Sequence, residues 1–346
     1  MDEVLLRSHL RANGLRYVSD SEPGIRRRRS GRGFSYRLPD GTLLRDPETL
    51  SRIKTLAVPP AWRDVWICPD PRGHIQATGL DERGRKQYRY HPDWTAFRDE
   101  AKYGNLLGFS AALPGLRARV EADLALRGLP REKAVAAVIH LLDETLIRVG
   151  NPEYARTNDS YGLTTLTREH VTVEGETLRF AFTGKSGKEW RLSLRDRRIA
   201  RIVKSVEDIP GQPLLAYTAE DGERRPVGSH DVNAYIHEHA GEDFSAKDFR
   251  TWGGTILALE VLAETPVPES VSGRRRALNA AIDTVARRLG NTRAVCRRCY
   301  IHPAILAAWE AGTLAGEIAA VSGGRPRKGL DMAETITARW LERLPA

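Results

Sequence analysis

A tyrosine set among cationic side chains carries the most chemistry in this sequence. The stretch runs Leu289-Gly290-Asn291-Thr292-Arg293-Ala294-Val295-Cys296-Arg297-Arg298-Cys299-Tyr300-Ile301-His302-Pro303, with Arg287 and Arg288 just upstream. A phenol is a poor nucleophile while its pKa stays near ~10. Guanidinium groups close by favour the phenolate and also attract a phosphate. One stretch thus holds a nucleophile and the charge to hold its target. On this stretch alone the plainer reading leads, a basic, solvated helix that contains a tyrosine, and only the rest of the chain can change that.

Three distant segments bear on that choice. Arg148, in Arg148-Val149-Gly150-Asn151, is expected in the last turn of an amphipathic helix whose apolar face is Val135, Val138, Ile139, Leu142 and Leu146, with Gly150 as its terminating residue. An arginine there also serves as a partner of the helix dipole. Lys185, in Phe182-Thr183-Gly184-Lys185-Ser186-Gly187-Lys188, falls at a glycine-flanked hairpin tip. The G-x-x-x-x-G-K-[ST] spacing of a nucleotide phosphate loop is absent and no helix follows, which excludes nucleoside triphosphate binding by that device. A hairpin lysine that reaches into a groove acts as a general acid if its pKa falls; otherwise it is a solvated turn residue. Lys247-Asp248-Phe249-Arg250-Thr251-Trp252-Gly253 opens a helix and is expected to place Arg250 in the first turn, where backbone N–H groups favour anions. Cys296, Cys299 and His302 have the side chains of a zinc site, but Cys68 is the one further thiol and belongs to a different expected domain. No metal site is expected, and the two cysteines read as small, partly buried neighbours of Tyr300.

The elements that must position these residues form an α+β chain. Residues 1–92 read as a small β-rich domain, and 93–346 as a larger, mainly helical domain with a small antiparallel sheet. Alternation predicts strands at 34–38, 65–68, 74–78 and 85–90, with a helix at 47–56. Before them, a helical pattern at Val4, Leu5, Leu6 and Leu10 leads to Arg26-Arg27-Arg28-Arg29, read as a flexible basic segment between glycines. Helical periodicity follows at 94–104, 116–127 and 131–148, then strands at 164–166, 170–173, 178–182 and 190–194. Helices resume at 196–205, 229–240, 245–264, 274–289, 293–302, 303–311 and 329–343, with breaks at 210–213, 265–268 and 322–329.

Composition narrows the partner. Lys+Arg number 54 against 45 Asp+Glu, a formal net charge of +9, which suggests a polyanion and nucleic acid first. Three cysteines make no disulfide framework and fit a reducing cytoplasm. No stretch approaches the ~18 apolar residues of a membrane span, and the charged N-terminus does not read as a signal peptide.

Taken together, Arg148, Lys185, Arg250, Asn291 and Tyr300 resemble the active-site order of the type IB DNA topoisomerases, most closely the short poxvirus-like branch with bacterial members. The likeness covers nearly the whole chain. Lys247 to Gly253 is similar to the family's K-D-[LF]-R-T-aromatic-G motif. Gln87-Tyr88-Arg89-Tyr90 is similar to the motif near the end of its N-terminal domain, Gly184-Lys185 to the hairpin of its catalytic lysine, and the interval from Asn291 to Tyr300 to that between its phosphate-binding residue and nucleophile. The resemblance implies relaxation of supercoiled duplex DNA through a 3′-phosphotyrosyl intermediate, with no ATP, metal or other cofactor. It implies a clamp of two domains around DNA, with Gln87, Tyr88 and Tyr90 contacting DNA and Tyr154 contacting a phosphate. It fits a monomer in the cytoplasm, associated with the nucleoid. One departure stands out: many members carry histidine where this chain has Asn291. An amide donates a hydrogen bond to a phosphate oxygen but cannot carry a proton as imidazole does, which points to hydrogen bonding rather than proton transfer. Two other classes share part of this pattern. Tyrosine recombinases share the Arg, Lys, Arg and Tyr logic, but typically carry histidine three residues before the second arginine, where this chain has Lys247, and a helical rather than β-rich N-terminal unit. A non-catalytic DNA-binding protein would require all five matches to be accidental.

Overall fold

The computed structural model describes residues 7, 10–82, 84–95, 103–205 and 213–344. Most of the expected N-terminal helical pattern, of the 94–104 helix and of the 210–213 break lies outside the described residues. The chain falls into two compact units, Met1–Tyr103 and Gly104–Ala346. Trp94 packs with Leu10 and Leu15 in the first of them.

The first unit is a five-stranded antiparallel sheet of order β2-β1-β3-β4-β5, made of β1 (Ile25–Ser30), β2 (Gly33–Arg37), β3 (Arg63–Ile67), β4 (Ile75–Leu80) and β5 (Lys86–Tyr90). Strand alternation sorts its faces. Ile25, Ile67 and Ala77 stand in register across β1, β3 and β4 and bury against Leu44 and Ile53. Ile53 belongs to α1 (Pro47–Thr55), whose start is set by Pro47 and by Asp46, which accepts the Thr49 N–H at 2.8 Å. Trp66, one residue out of phase, packs on the other face with Val18 and Cys68.

The arginine run is not the flexible segment its composition suggested. Arg26 to Arg29 form a paired strand opposite Arg37 to Phe34. Arg27 shows how this is possible. Its guanidinium donates to the carbonyls of Val58, Pro59 and Trp62 at 3.2, 3.0 and 2.6 Å and lies 4.1 Å from the Phe34 ring centroid. The stem covers apolar surface while the head is fully engaged, so a charged residue serves a strand well. Arg26, Arg28 and Arg29 are exposed.

Among the described residues the second unit is mainly helical, with two antiparallel sheets, of three and two strands. Helix α2 (Leu106–Leu124) packs on α3 (Arg131–Thr145). Pro114 lies inside α2, which begins well before the expected residue 116. An interior proline costs about 3 kcal/mol. Burial of Phe109, Leu113 and Leu116 in the same helix returns roughly 1.5–3 kcal/mol each, so the helix runs through it. Downstream come α4 (Pro152–Asn158), the three-stranded sheet β6 (Val171–Glu174), β7 (Thr177–Gly184) and β8 (Lys188–Arg195), α5 (Arg197–Ser205), and a small hairpin of β9 (Ala216–Thr218) and β10 (Arg224–Pro226). Then follow α6 (Ser229–Ala240), α7 (Ala246–Ala263), α8 (Val271–Leu289), α9 (Arg293–Cys299), α10 (Pro303–Glu310), α11 (Leu314–Ala319) and α12 (Met332–Leu341). The 164–166 strand expected from sequence is instead a tight turn at Leu163–Thr165, because Thr165 Oγ1 takes the Gly162 N–H at 2.9 Å. Neither α4, α11 nor the β9-β10 hairpin was anticipated.

Helix α7 packs against α2, α8, α10 and α12. One polar knot ties this assembly. Arg117 of α2 grips Asp143 of α3 at 2.7 and 3.0 Å and Glu334 of α12 at 2.8 and 2.8 Å. Trp252 of α7 donates to the same Glu334 at 3.3 Å. Burial works to raise the Glu334 carboxyl, but the hydrogen bonds from Arg117 and the Asp331 amide outweigh it and hold the group below its ordinary value of 4.5. Arg117→Ala is expected to cost about 3 kcal/mol, the low end for a broken buried pair because Arg117 is a third exposed. A carboxyl depressed by folding stabilises the protein above its unfolded pKa and ceases to do so as pH falls through the folded one. The gap between wild type and variant in urea denaturation should therefore narrow below about pH 4.5. A gap independent of pH would show that Glu334 is not held by Arg117.

Candidate active site

Two helix ends and one helix beginning build the site. Helix α3 stops at Thr145 because Leu146 turns left-handed, with φ +58°. Arg148 is therefore not in the last helical turn, as expected, but two residues past the cap, and Leu146 rather than Gly150 is the terminating residue. Its segment is pinned by backbone bonds from Leu163 N–H to Arg148 O at 2.9 Å and from Thr164 N–H to Val149 O at 2.7 Å. Helix α8 ends in a Schellman turn: Gly290 takes φ +56° and the Asn291 N–H reaches back to Ala286 O at 2.9 Å. Thr292 then caps α9, accepting the Val295 N–H at 3.4 Å. Tyr300 closes that helix with its own N–H on Cys296 O at 3.0 Å.

Arg250 joins these pieces. It is the fifth residue of α7, one turn inside a start capped by Ser245 and Asp248, so it does not offer the first-turn amides expected from sequence. It is 3% exposed, and its guanidinium donates to Leu146 O at the end of α3 and to Leu289 O, at 2.8 Å, at the end of α8. Both carbonyls are among the four that every helix C-terminus leaves unpaired. The same guanidinium carbon lies 5.0 Å from the Tyr300 ring centroid. Two glycines let α7 come this close. A Cβ on Gly254 would stand 2.6 Å from Tyr300 O, and one on Gly253 2.6 Å from Leu146 Cδ1.

The hydrogen-bond network assigns the amide of Asn291. Arg148 donates to Asn291 Oδ1 and, at 3.4 Å, to Gly290 O. This turns the Asn291 NH2 group away as a donor, and Nδ2 is buried without a partner among the described residues. The Nε of Arg250 is likewise buried and unpartnered. Leaving such donors unsatisfied costs roughly 1–3 kcal/mol each. Burial, reinforced by the charge of Arg250, lowers Arg148 to about 10, while the phenol of Tyr300, in hydrogen-bond contact with it, pulls the other way. Arg148 thus stays cationic at neutral pH. Burial pushes the Cys296 thiol up to about 11. His302 faces elsewhere: its Nδ1 accepts the Ala304 N–H at 3.2 Å, its ring meets Trp340 edge-on, and burial drops it to about 4.

The structure brings together Arg148, Arg250, Asn291 and Tyr300. Lys185 sits at the tip of the β7-β8 hairpin, exposed, with Nζ 5.8 Å from the ring centroid of exposed Tyr154 on α4 and no hydrogen bond or ion pair to any described residue. In the first unit Tyr88 and Tyr90 are exposed on β5 and stack at 5.7 Å and 7°. Gln87, on the other face, donates to Asp81 at 3.0 Å. Sequence reasoning missed Leu146, Leu289, Gly254 and Gly290. Of these, Gly290 alone carried a readable signal, a glycine directly after a basic last turn.

Residues 91–313 match the family described as eukaryotic DNA topoisomerase I, catalytic core, and residues 33–81 that described as bacterial DNA topoisomerase IB, N-terminal domain. A DNA topoisomerase 1B of Acanthamoeba polyphaga mimivirus is 32% identical over 285 residues, 80% of this chain and 85% of the relative. The chain belongs to the type IB DNA topoisomerases. For this type IB topoisomerase, the catalytic-core match spans Arg148 to Tyr300, and the N-terminal match stops short of Gln87. A DNA topoisomerase 1 of Rabbit fibroma virus (strain Kasza) is 21% identical over 80% of this chain and 88% of its own. One from Mycosarcoma maydis is 23% identical over 48% of this chain but only 18% of the relative, which is far longer.

Gly254 offers a test of how the tyrosine is seated. Alanine is favoured over glycine inside a helix by about 1 kcal/mol, whereas overpacking costs about 1–3 kcal/mol. Gly254→Ala should therefore melt below wild type. A melting temperature at or above wild type would mean that the Tyr300 backbone is not seated against α7.

Proposed function

We propose that this type IB topoisomerase relaxes supercoiled duplex DNA by cutting and resealing one strand, with Tyr300 as nucleophile. The observation that carries the reading is the convergence on Tyr300 of Arg148, Arg250 and Asn291, two of which hold buried donors without a hydrogen-bond partner among the described residues. Those donors suit the non-bridging oxygens of a phosphodiester. Attack by the Tyr300 oxygen on phosphorus forms a 3′-phosphotyrosyl bond and breaks the bond to the 5′-oxygen. One hard step becomes two easier ones, and the bond energy is kept for religation. Arg148, Arg250 and Asn291 stabilise the charge that builds on the phosphoryl oxygens. Lys185 gives its proton to the departing 5′-oxygen. The charges this route needs come from side chains, so ATP and metal have no assigned part.

The N-terminal unit is assigned the clamp. Exposed, stacked Tyr88 and Tyr90 support DNA contact there, with Gln87 beside them; Tyr154 is assigned to a phosphate near Lys185. The two units grip one duplex, which a monomer can do, and the enzyme works on the nucleoid in the cytoplasm.

Relaxation of a supercoiled plasmid in EDTA without ATP should proceed with wild type and stop with Tyr300→Phe, while DNA binding persists. Normal relaxation by Tyr300→Phe would overturn the assignment. Lys185→Ala should slow cleavage by roughly 10²–10⁴, the contribution of a positioned general acid. A 5′-bridging sulfur at the scissile phosphate leaves without a proton and should restore most of that loss. If sulfur restored nothing, Lys185 would not be the acid.

A further inference from the structure

Trp190 belongs to neither the nucleophile's turn nor the lysine's tip, yet its indole touches the backbone of both. It sits on β8, 6% exposed, stacked on Phe182 of β7 at 5.9 Å and 5°. A Cβ on Gly184 would stand 2.7 Å from the indole Nε1, and a Cβ on Gly290 2.6 Å from its Cε2 and Cζ2. Side chains do not tolerate such distances, so both positions are bare where the ring passes. Gly184 immediately precedes Lys185, and Gly290 immediately precedes Asn291. One rigid aromatic ring therefore separates the hairpin that carries the lysine from the turn that carries the asparagine. Among the described residues the Lys185 ammonium has no hydrogen bond, and its one contact is the Tyr154 ring at 5.8 Å. Its tip is a tight turn, with Ser186 at φ +64° and Gly187 at φ +69°. The place of its ammonium is thus set largely by the last strand pairs below the tip, Phe182 with Trp190 and Gly184 with Lys188, where the indole lies.

We propose that Trp190 is the positioning residue for Lys185, the spacer that fixes how far the hairpin tip stands from the Asn291 and Tyr300 site. The proposal rests on the general-acid reading of Lys185. In the cleavage step Tyr300 gives up its phenol proton to solvent, the bond from its oxygen to phosphorus forms and the bond from phosphorus to the 5′-oxygen breaks. The electron pair goes to that oxygen, which takes a proton from the Lys185 ammonium. A hairpin that is displaced by an ångström keeps its lysine but loses the aim of the proton, and misplacement on this scale is costly in rate. The phosphate cradle of Arg148, Arg250 and Asn291 does not depend on that aim.

Single-turnover cleavage separates the two effects. Trp190→Ala should slow cleavage of an ordinary phosphodiester by about 10- to 100-fold, a part of the general-acid contribution, and cleave the 5′-bridging sulfur substrate within about threefold of wild type. Gly184→Ala provides a second route that keeps the core aromatic. Gly184 has φ −97°, which alanine adopts without strain, and the new methyl pushes the hairpin off the ring. It should show the same sulfur-selective rescue even if Trp190→Ala does not fold. Trp190→Phe, which keeps a planar spacer of smaller size, should fall between wild type and Trp190→Ala. Equal slowing of both substrates in Gly184→Ala would mean general damage to the site and would overturn the proposal, as would an unchanged rate on the ordinary substrate. Lys185→Ala run beside them distinguishes the two layers. If sulfur fails to rescue Lys185→Ala, the general-acid reading falls first. If sulfur rescues Lys185→Ala but not Gly184→Ala, only the role of Trp190 falls.

Discussion

Everything in the catalytic unit turns on one buried cation. Arg250 is held by the carbonyls of Leu146 and Leu289, at the ends of α3 and α8, and among the described residues not by a carboxylate. The difference matters. A carboxylate would satisfy the guanidinium and cancel its charge. Helix-end carbonyls satisfy two of its donors, add the negative pole of two helix dipoles, and leave a full positive charge with Nε still open. Arg288 repeats the device beside it, donating to Thr145 O and Glu144 O at 3.0 and 2.9 Å. The chain ends two helices at one point and fills that point with arginines. The segment bearing Arg148 and the turn bearing Asn291 leave from those same ends, which is why they meet.

The cost of that arrangement is strain and exposed need. Two like charges lie near enough that Arg250 depresses Arg148. Arg250 Nε and Asn291 Nδ2 are buried with no hydrogen-bond partner among the described residues. Leu146 adopts a conformation that usually goes to glycine. A site of this kind is stabilised by an anion that supplies oxygen acceptors and negative charge together, and a phosphodiester does both. The asparagine at 291 fits the same logic. Arg148 fixes its carbonyl, so its NH2 can only donate, and a proton-carrying imidazole is not required for that role.

The N-terminal unit solves a different problem with similar side chains. Its cations are spread on a sheet instead of focused at a point. Arg27 is folded inward onto three carbonyls, whereas Arg26, Arg28 and Arg29 remain outward. Its exposed aromatics stack on each other on an edge strand. Such a surface can follow a long polyanion without committing to one phosphate.

Sequence alone supplied the candidates and their order, the tyrosine, the two arginines, the hairpin lysine and the asparagine, and determined the family and the α+β pattern of short strands before long helices. Those features are local, since alternation, periodicity and motif spacing depend on neighbours along the chain. What only the tertiary structure decided was anything set by distant partners. The end of α3 depends on Arg250 and Arg288 arriving from other helices, so Arg148 was misplaced by reading the periodicity through to residue 148. The arginine strand depends on β2 and on the carbonyls of Val58, Pro59 and Trp62, and so resembled a loop. Helix α2 runs through Pro114 because burial outweighs the proline's cost. The most telling case is Gly290: the glycine itself was in plain view, but the indole of Trp190 that requires it comes from a residue a hundred positions earlier, and no local pattern records that meeting.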